Sequence, residues 1–401
     1  MKVIVSPSGI KGTIVAPPSK SAMQRALALA LLHNGTTIIE NPGISNDDKA
    51  AIEIIKNCGA IIKVEGNKLI INSKGKVNPE GDIFFGESGL SLRMFAPIIA
   101  LSERNVLLNG AGSLLKRPIS FFDDVFPLLQ IHTLTNDGKL PVKIKGPLKP
   151  IDIEIDGSSS SQYLTGLLFA YASSADREIV IKVNNLKSKP YIALSLQMLI
   201  HFGYNVQWQE NDHFHITPIS KKENTIHYFT EGDWSGAAFL LVAGAIAGNI
   251  TVKGLSLHSA QADKAIVEVL KNCGAHIMAN ENEILISNQQ PLSAFHFDAT
   301  HCPDLFPPLA ALACYCQGTS LISGVSRLVA KESDRAASLL DIFSSMGADI
   351  EVTGDDMKIT GGIILKGASL HSHHDHRIAM AAAVAALCAD GETSIENAEA
   401  V

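Results

Sequence analysis

A chain of 401 residues with 46% apolar and only 18% charged residues has ample material for buried cores and enough length for two or three domains. Its net charge of −7 excludes the basic footprint of a nucleic-acid binder, and none of its apolar runs reaches the roughly 20 residues of a membrane span. The opening MKVIVSPSGIKG has no long apolar leader, and six cysteines without paired spacing read as reduced thiols, so a cytoplasmic protein is expected.

Along the chain, one unit of about seventy residues recurs six times. Its short strand ends at Asn41 (GTTIIEN), Asn109 (ERNVLLN), Asn184 (REIVIKVNN), Gly254 (GNITVKG), Gly324 (GTSLISG) and Asn397 (GETSIEN). A polar or charged cluster follows the first five: NDDK at 46–49, KRP at 116–118, SKPY at 188–191, QADK at 261–264 and KESDR at 331–335. A second half-unit, a helix closing on glycine and then a hairpin, is centred on Gly59, Gly274 and Gly347, with a looser copy at Gly203. These glycines sit where a helix ends in a left-handed residue, and the apolar period then switches from 3.6 to 2. The copy near Ile131 lacks the glycine. Each unit reads β-α-β-α-β-β, and six units divide into two groups of three: an α/β protein.

Five segments could carry chemistry. In APPSKSAMQRALALA (16–30), Ser19 or Ser21 can cap the helix, Lys20 sits at its mouth, and Arg25 lies one turn beyond Ser21; a capped surface helix is the plain alternative. In FFGESGLSLRMFAP (84–97), Gly86 and Gly89 bracket a turn whose backbone N–H groups suit an anion, and Arg93 follows one turn later. Four serines before the helix at 156–168 read as a phosphate cradle of Ser160, Ser161 and Gln162, or else as a linker. In KESDR, Lys331, Glu332 and Arg335 must converge in a cleft to act; otherwise they are a solvated helix start. The histidine-rich HSHHDHRIAM (371–380) lacks a metal-ligand spacing, so no metal is expected; Asp375, His376 and Arg377 read better as a helix start.

In this order, SKSxxxR, the glycines before Arg93, KRP, SSQ, SKPY, EGD, KESDR and DHR resemble the 5-enolpyruvylshikimate-3-phosphate synthase family, the 3-phosphoshikimate 1-carboxyvinyltransferases, over essentially the whole chain. The resemblance implies an inside-out α/β fold of two domains, each of three βαβαββ units around a pseudo-threefold axis. A discontinuous domain of residues 1–15 plus 231–401 and a domain of 16–230 would flank the active-site cleft. It implies transfer of the enolpyruvyl group of phosphoenolpyruvate to the 5-hydroxyl of shikimate 3-phosphate with release of phosphate, in a monomer that needs no cofactor, nucleic acid or membrane.

By the same resemblance, Lys20, Asp304 and Glu332 move protons. Ser21, Arg25, Ser160, Ser161, Gln162, Ser188, Tyr191 and Lys331 bind shikimate 3-phosphate. Lys20, Gly89, Arg117, Gln162, Arg335 and Arg377 bind phosphoenolpyruvate. Asp304 alone would read as an ordinary acidic residue at a helix start. The chain departs from the family pattern at Leu90, Leu115, Ala193 and Val329, and the family continues beyond 398–401 with a further phosphoenolpyruvate-binding Lys. Two alternatives therefore stand beside the main reading. One is a catalytically impaired ligand-binding homologue. The other is the sister transferase acting on UDP-N-acetylglucosamine, whose pattern has Lys-Asn at Lys20-Ser21 and a loop cysteine that is absent near Gly86–Arg93 and Leu114–Arg117.

Overall fold

A computed structural model describes residues 1–219, 224–289, 291–329 and 331–401. They form two compact units, Pro18–Glu231 and the discontinuous Met1–Pro17 with Gly232–Val401.

The Pro18–Glu231 unit contains three four-stranded sheets of one design. In the sheet built on Ile153–Asp156, that strand runs parallel to Ile179–Asn184, which pairs antiparallel with His213–Thr217, and this in turn with Asn205–Gln209. The sheet built on Ile83–Phe84 repeats the pattern. In the third, the leading strand is Asn224–Phe229, parallel to Asn34–Glu40 although it is far away in sequence. Three helices, Lys20–Leu32, Gly89–Ile99 and Ser161–Ser174, pack on one another. They are apolar almost all round, and every residue of Gly89–Ile99 is buried, as a core helix requires.

The other unit repeats the scheme with Trp234–Ala247, Phe306–Tyr315 and His376–Ala386 as its mutually packed helices. Here the amino-terminal segment supplies strands to two sheets. Ile10–Val15 runs parallel to Gly248–Lys253, and Lys2–Val5 pairs antiparallel with Thr393–Glu396. Among the described residues the architecture is thus two sets of three units, five of them βαβαββ and the sixth a β-α-β (Ser369–His371, His376–Ala386, Thr393–Glu396) whose antiparallel strand is the borrowed Lys2–Val5.

The helix stops are as the sequence places them. Gly59, Gly203, Gly274 and Gly347 have φ of 103°, 81°, 88° and 84°. In the copy without glycine, Gln130 takes the left-handed turn at φ 61° after Pro127–Leu129, so the geometry survives the lost residue at some steric cost. After the third repeat strand the left-handed residue is Asn185, one beyond Asn184.

Candidate active site

In the Pro18–Glu231 unit, the three inner helices all begin at a serine cap. Ser19 accepts from the N–H of Ala22, Ser88 from that of Ser91, and Ser160 from that of Gln162, each at 3.3 Å. The serines at 158–161 are therefore a helix start and not a linker. A neutral cap satisfies one backbone donor and leaves the positive end of the helix dipole uncompensated, a setting that favours anions.

Cations gather at these helix mouths. Lys20, the first helical residue, pairs with Asp47 at 2.9 Å. Arg25 is fully buried; its Nε donates to Ser195 Oγ at 2.9 Å and its Nη1 to the Ser21 carbonyl at 2.8 Å. Ser195 Oγ is also bonded to Thr165 Oγ1 and to the carbonyl of Tyr191, both at 2.9 Å. Burial lowers the Arg25 guanidinium to about 10, against the opposing influence of Tyr191 and Tyr228. It stays charged at neutral pH.

Gly89 opens its helix under two guanidiniums. A Cβ there would stand 2.7 Å from Arg117 Nη1 and 2.8 Å from Arg93 Nη1. Arg93 Nη1 donates to Gln162 Oε1 at 2.9 Å and lies over the Tyr163 ring, while Arg117 Nη2 donates to Ser113 Oγ at 2.8 Å. Ser161 is buried in the first turn of its helix, and Ser188 is buried at φ 53° just before the Lys189–His201 helix.

The Met1–Pro17 and Gly232–Val401 unit holds the rest as an ion-pair network. Asp304, in the Pro303–Leu305 turn, accepts from Lys331 Nζ at 3.2 Å, Arg335 Nη1 at 2.7 Å and Arg377 Nη2 at 3.2 Å. Arg335 also donates to Glu332 Oε2 at 2.6 Å and, through Nε, to Asp375 Oδ2 at 2.7 Å. Asp375 caps the His376–Ala386 helix through the N–H of Arg377 at 2.9 Å. Burial penalises a charged Asp304, yet Arg377, Lys331 and Arg335 hold it well below the ordinary carboxylate range. Burial lowers Lys331, and burial of Arg335 is outweighed by Glu332, Asp375 and Asp304, which raise it.

Within each unit, then, part of the expected set comes together. Lys331, Glu332, Arg335, Arg377 and Asp304 form one network, and Gly89, Arg117 and Gln162 meet around Arg93. Sequence reasoning gave no substrate-binding or proton-transfer role to Arg93, Asp47 or Asp375. Arg93 sits one turn after Gly89 and Asp375 directly before a helix, signals that were visible but not specific. The histidines before Asp375 serve the loop. His371 Nδ1 accepts from the His373 N–H at 2.8 Å, its Nε2 meets the Asn397 side chain, and His373 reaches Asp341.

The model of the EPSP synthase (3-phosphoshikimate 1-carboxyvinyltransferase) family matches residues 4–401. A 3-phosphoshikimate 1-carboxyvinyltransferase of Clostridium kluyveri is 38% identical over all of this chain and 93% of its own length. One of Clostridium perfringens strain SM101 is 36% identical over all of this chain and 95% of its own. Among solved structures, EPSP synthase from Acinetobacter baumannii superposes with a TM-score of 0.83 at 25% identity, over 99% of this chain and 94% of that one. The enolpyruvyl transferase NikO of Streptomyces tendae shares the fold at a TM-score of 0.80 and 16% identity. With the family's model matched from residue 4 to residue 401, the chain belongs to the EPSP synthase family.

Proposed function

We infer that the protein transfers the enolpyruvyl group of phosphoenolpyruvate to the 5-hydroxyl of shikimate 3-phosphate and releases phosphate, a step in aromatic amino-acid biosynthesis. Family membership supports the reaction. The observation that carries the chemistry is the single carboxylate of Asp304 held by Lys331, Arg335 and Arg377.

The reaction has two stages. The 5-hydroxyl oxygen bonds to C2 of phosphoenolpyruvate, its proton leaves, and C3 gains a proton to become a methyl group. That methyl then returns a proton as the C–O bond to phosphate breaks. Groups that give and take protons in turn are needed, and Lys20, Asp304 and Glu332 are assigned here. Asp304 clamped by three cations is a weak base. An anionic substrate draws on Arg335 and Arg377, loosens that clamp, and returns Asp304 toward ordinary basicity, so that the base is released by the substrate it serves.

Binding follows from charge and shape. Ser21, Arg25, Ser160, Ser161, Ser188, Tyr191 and Lys331 are assigned to shikimate 3-phosphate, and the serine-capped helix ends suit its phosphate. Gly89, Arg117, Gln162, Arg335 and Arg377 are assigned to phosphoenolpyruvate with Lys20, because planar guanidiniums pair bidentately with phosphate and carboxylate. All six cysteines are free thiols, in keeping with a cytoplasmic enzyme.

Phosphate release should require shikimate 3-phosphate and phosphoenolpyruvate together. Release with UDP-N-acetylglucosamine in place of shikimate 3-phosphate would assign the sister reaction. Tight ligand binding without any release would make the chain a ligand-binding homologue.

A further inference from the structure

Ser195 and Thr165 are buried hydroxyls with no role in the scheme above. Both belong to a polar layer one helical turn beyond residues assigned to shikimate 3-phosphate. Arg25 follows Ser21 by four residues, Thr165 follows Ser161 by four and Ser195 follows Tyr191 by four, so each shares a face of its own helix with a binding residue. Thr165 and Ser195 have no exposed surface, and Arg25 has almost none.

The three meet at the Ser195 hydroxyl. A serine hydroxyl has one proton to give and two lone pairs to accept with. Here it donates to the Tyr191 carbonyl at 2.9 Å and accepts from Arg25 Nε at 2.9 Å. The second lone pair faces Thr165 Oγ1 at 2.9 Å, so Thr165 is the donor of that pair. With its own proton committed to Tyr191, Ser195 can turn only a lone pair to the guanidinium. Arg25 is held a second time, by Nη1 on the Ser21 carbonyl at 2.8 Å. Among the described residues its Nη2 has no hydrogen-bond partner, and Arg25 forms no ion pair. Buried charges are normally paired. A guanidinium held by two neutral acceptors keeps its charge for an anion from outside the chain.

We infer that Ser195, oriented by Thr165, is a positioning residue for shikimate 3-phosphate: its hydroxyl fixes Arg25 Nε and so aims the remaining arm of the guanidinium at the anion. One oxygen thereby ties together the three helices that carry Ser21, Ser161 and Tyr191. Without that oxygen, Arg25 Nε loses its acceptor in a site that water does not reach. The planar group then turns to find another, and the directional pair with the ligand is lost. The inference rests on the assignment of Arg25 to shikimate 3-phosphate.

The test is equilibrium binding of shikimate 3-phosphate to wild type, Ser195→Ala, Arg25→Ala and the double variant, followed by phosphorus NMR so that weak affinities stay measurable. Ser195→Ala should bind about three- to thirtyfold more weakly than wild type. Its KM for shikimate 3-phosphate should rise in step, while the KM for phosphoenolpyruvate at saturating shikimate 3-phosphate moves by less than about twofold. A general loosening of the unit would move both constants. Because Ser195 acts through Arg25, the serine substitution should change affinity by less than about twofold once residue 25 is already alanine. Wild-type affinity in Ser195→Ala, or an equal loss in both backgrounds, overturns the inference. Ser195→Cys supplies a second arm should the alanine variant misfold. It keeps nearly the same shape with a weak acceptor, so it too should bind more weakly, and wild-type affinity there counts against the proposal. Failure of the underlying assignment looks different. Wild type that binds no shikimate 3-phosphate, or Arg25→Ala that binds it as tightly as wild type, overturns the role of Arg25 and this inference with it. A large loss in Arg25→Ala with none in Ser195→Ala refutes the positioning role alone.

Discussion

Arg335 and Asp375 form a buried pair, with Nε to Oδ2 at 2.7 Å and relative side-chain exposures of 1% and 0%. Asp375 is at once an ion-pair partner and the cap of the helix that carries Arg377. Asp375→Asn should therefore cost about 3 kcal/mol of stability, near the low end for breaking a buried pair because Asp304 and Glu332 still hold Arg335. Urea unfolding of the two proteins gives the difference; a loss under about 1 kcal/mol would show that the pair contributes little.

Acid should unfold the protein through the same residues. Asp304 and Asp375 sit below their ordinary values in the folded state, so below about pH 4 the unfolded chain takes up more protons and stability falls. The contribution is fully present above the unfolded value and is lost as pH drops through the folded one. Asp263 acts in the opposite sense, since its carboxyl is raised to about 7 and stability from that group declines as pH rises from about 4 toward 7. Melting curves across pH should show a shallower acid limb in Asp375→Asn and a flatter neutral limb in Asp263→Asn.

Gly89→Ala should leave the fold intact and weaken phosphoenolpyruvate binding. The added methyl meets only the flexible ends of Arg117 and Arg93, at 2.7 and 2.8 Å, and turns them aside. Glyphosate, a longer molecule that also carries a carboxylate and a phosphonate, should lose more, by about ten- to two-hundredfold in discrimination. Equal changes in the two constants would reject the steric argument.

Gly166→Ala should act on the scaffold instead. A Cβ at Gly166 would approach the Met94 carbonyl to 2.6 Å and the Arg93 carbonyl to 2.9 Å, both rigid backbone atoms. The Gly89–Ile99 and Ser161–Ser174 helices must then separate, at a cost of about 1–3 kcal/mol or more. Since these helices carry Arg93 and Gln162, kcat/KM should fall together with the melting temperature.

Lys20→Met and Glu332→Gln should each lower turnover by about 10²–10⁴-fold while the protein stays folded, the range expected for lost proton transfer. Steady-state kinetics with circular dichroism decides the matter, and a loss below about tenfold would remove that residue from the proton-transfer set.

The repeats were readable because glycine and asparagine mark backbone geometry that few other residues tolerate. Gln130 shows the limit, since a left-handed turn persisted where its usual residue was missing. Motifs such as KESDR and DHR announced charge at helix starts but not its pairing. That Asp304 is the hub for Lys331, Arg335 and Arg377 depends on three segments meeting in space, and spacing along the chain does not encode it. Asp263 was visible only as part of QADK, because nothing local distinguishes a buried carboxyl from a solvated one.

The strands borrowed by the discontinuous unit bear on how it is made. Lys2–Val5 and Ile10–Val15 are synthesised well before their partners, Thr393–Glu396 and Gly248–Lys253. The Pro18–Glu231 unit is contiguous, so its strands are all made before Gly248–Lys253 and Thr393–Glu396 appear. At about 5–20 residues per second, the first strand waits roughly 20–80 s for its neighbour. During that interval the KVIV strand has open hydrogen-bonding edges, the kind of edge that pairs with other chains unless it is covered.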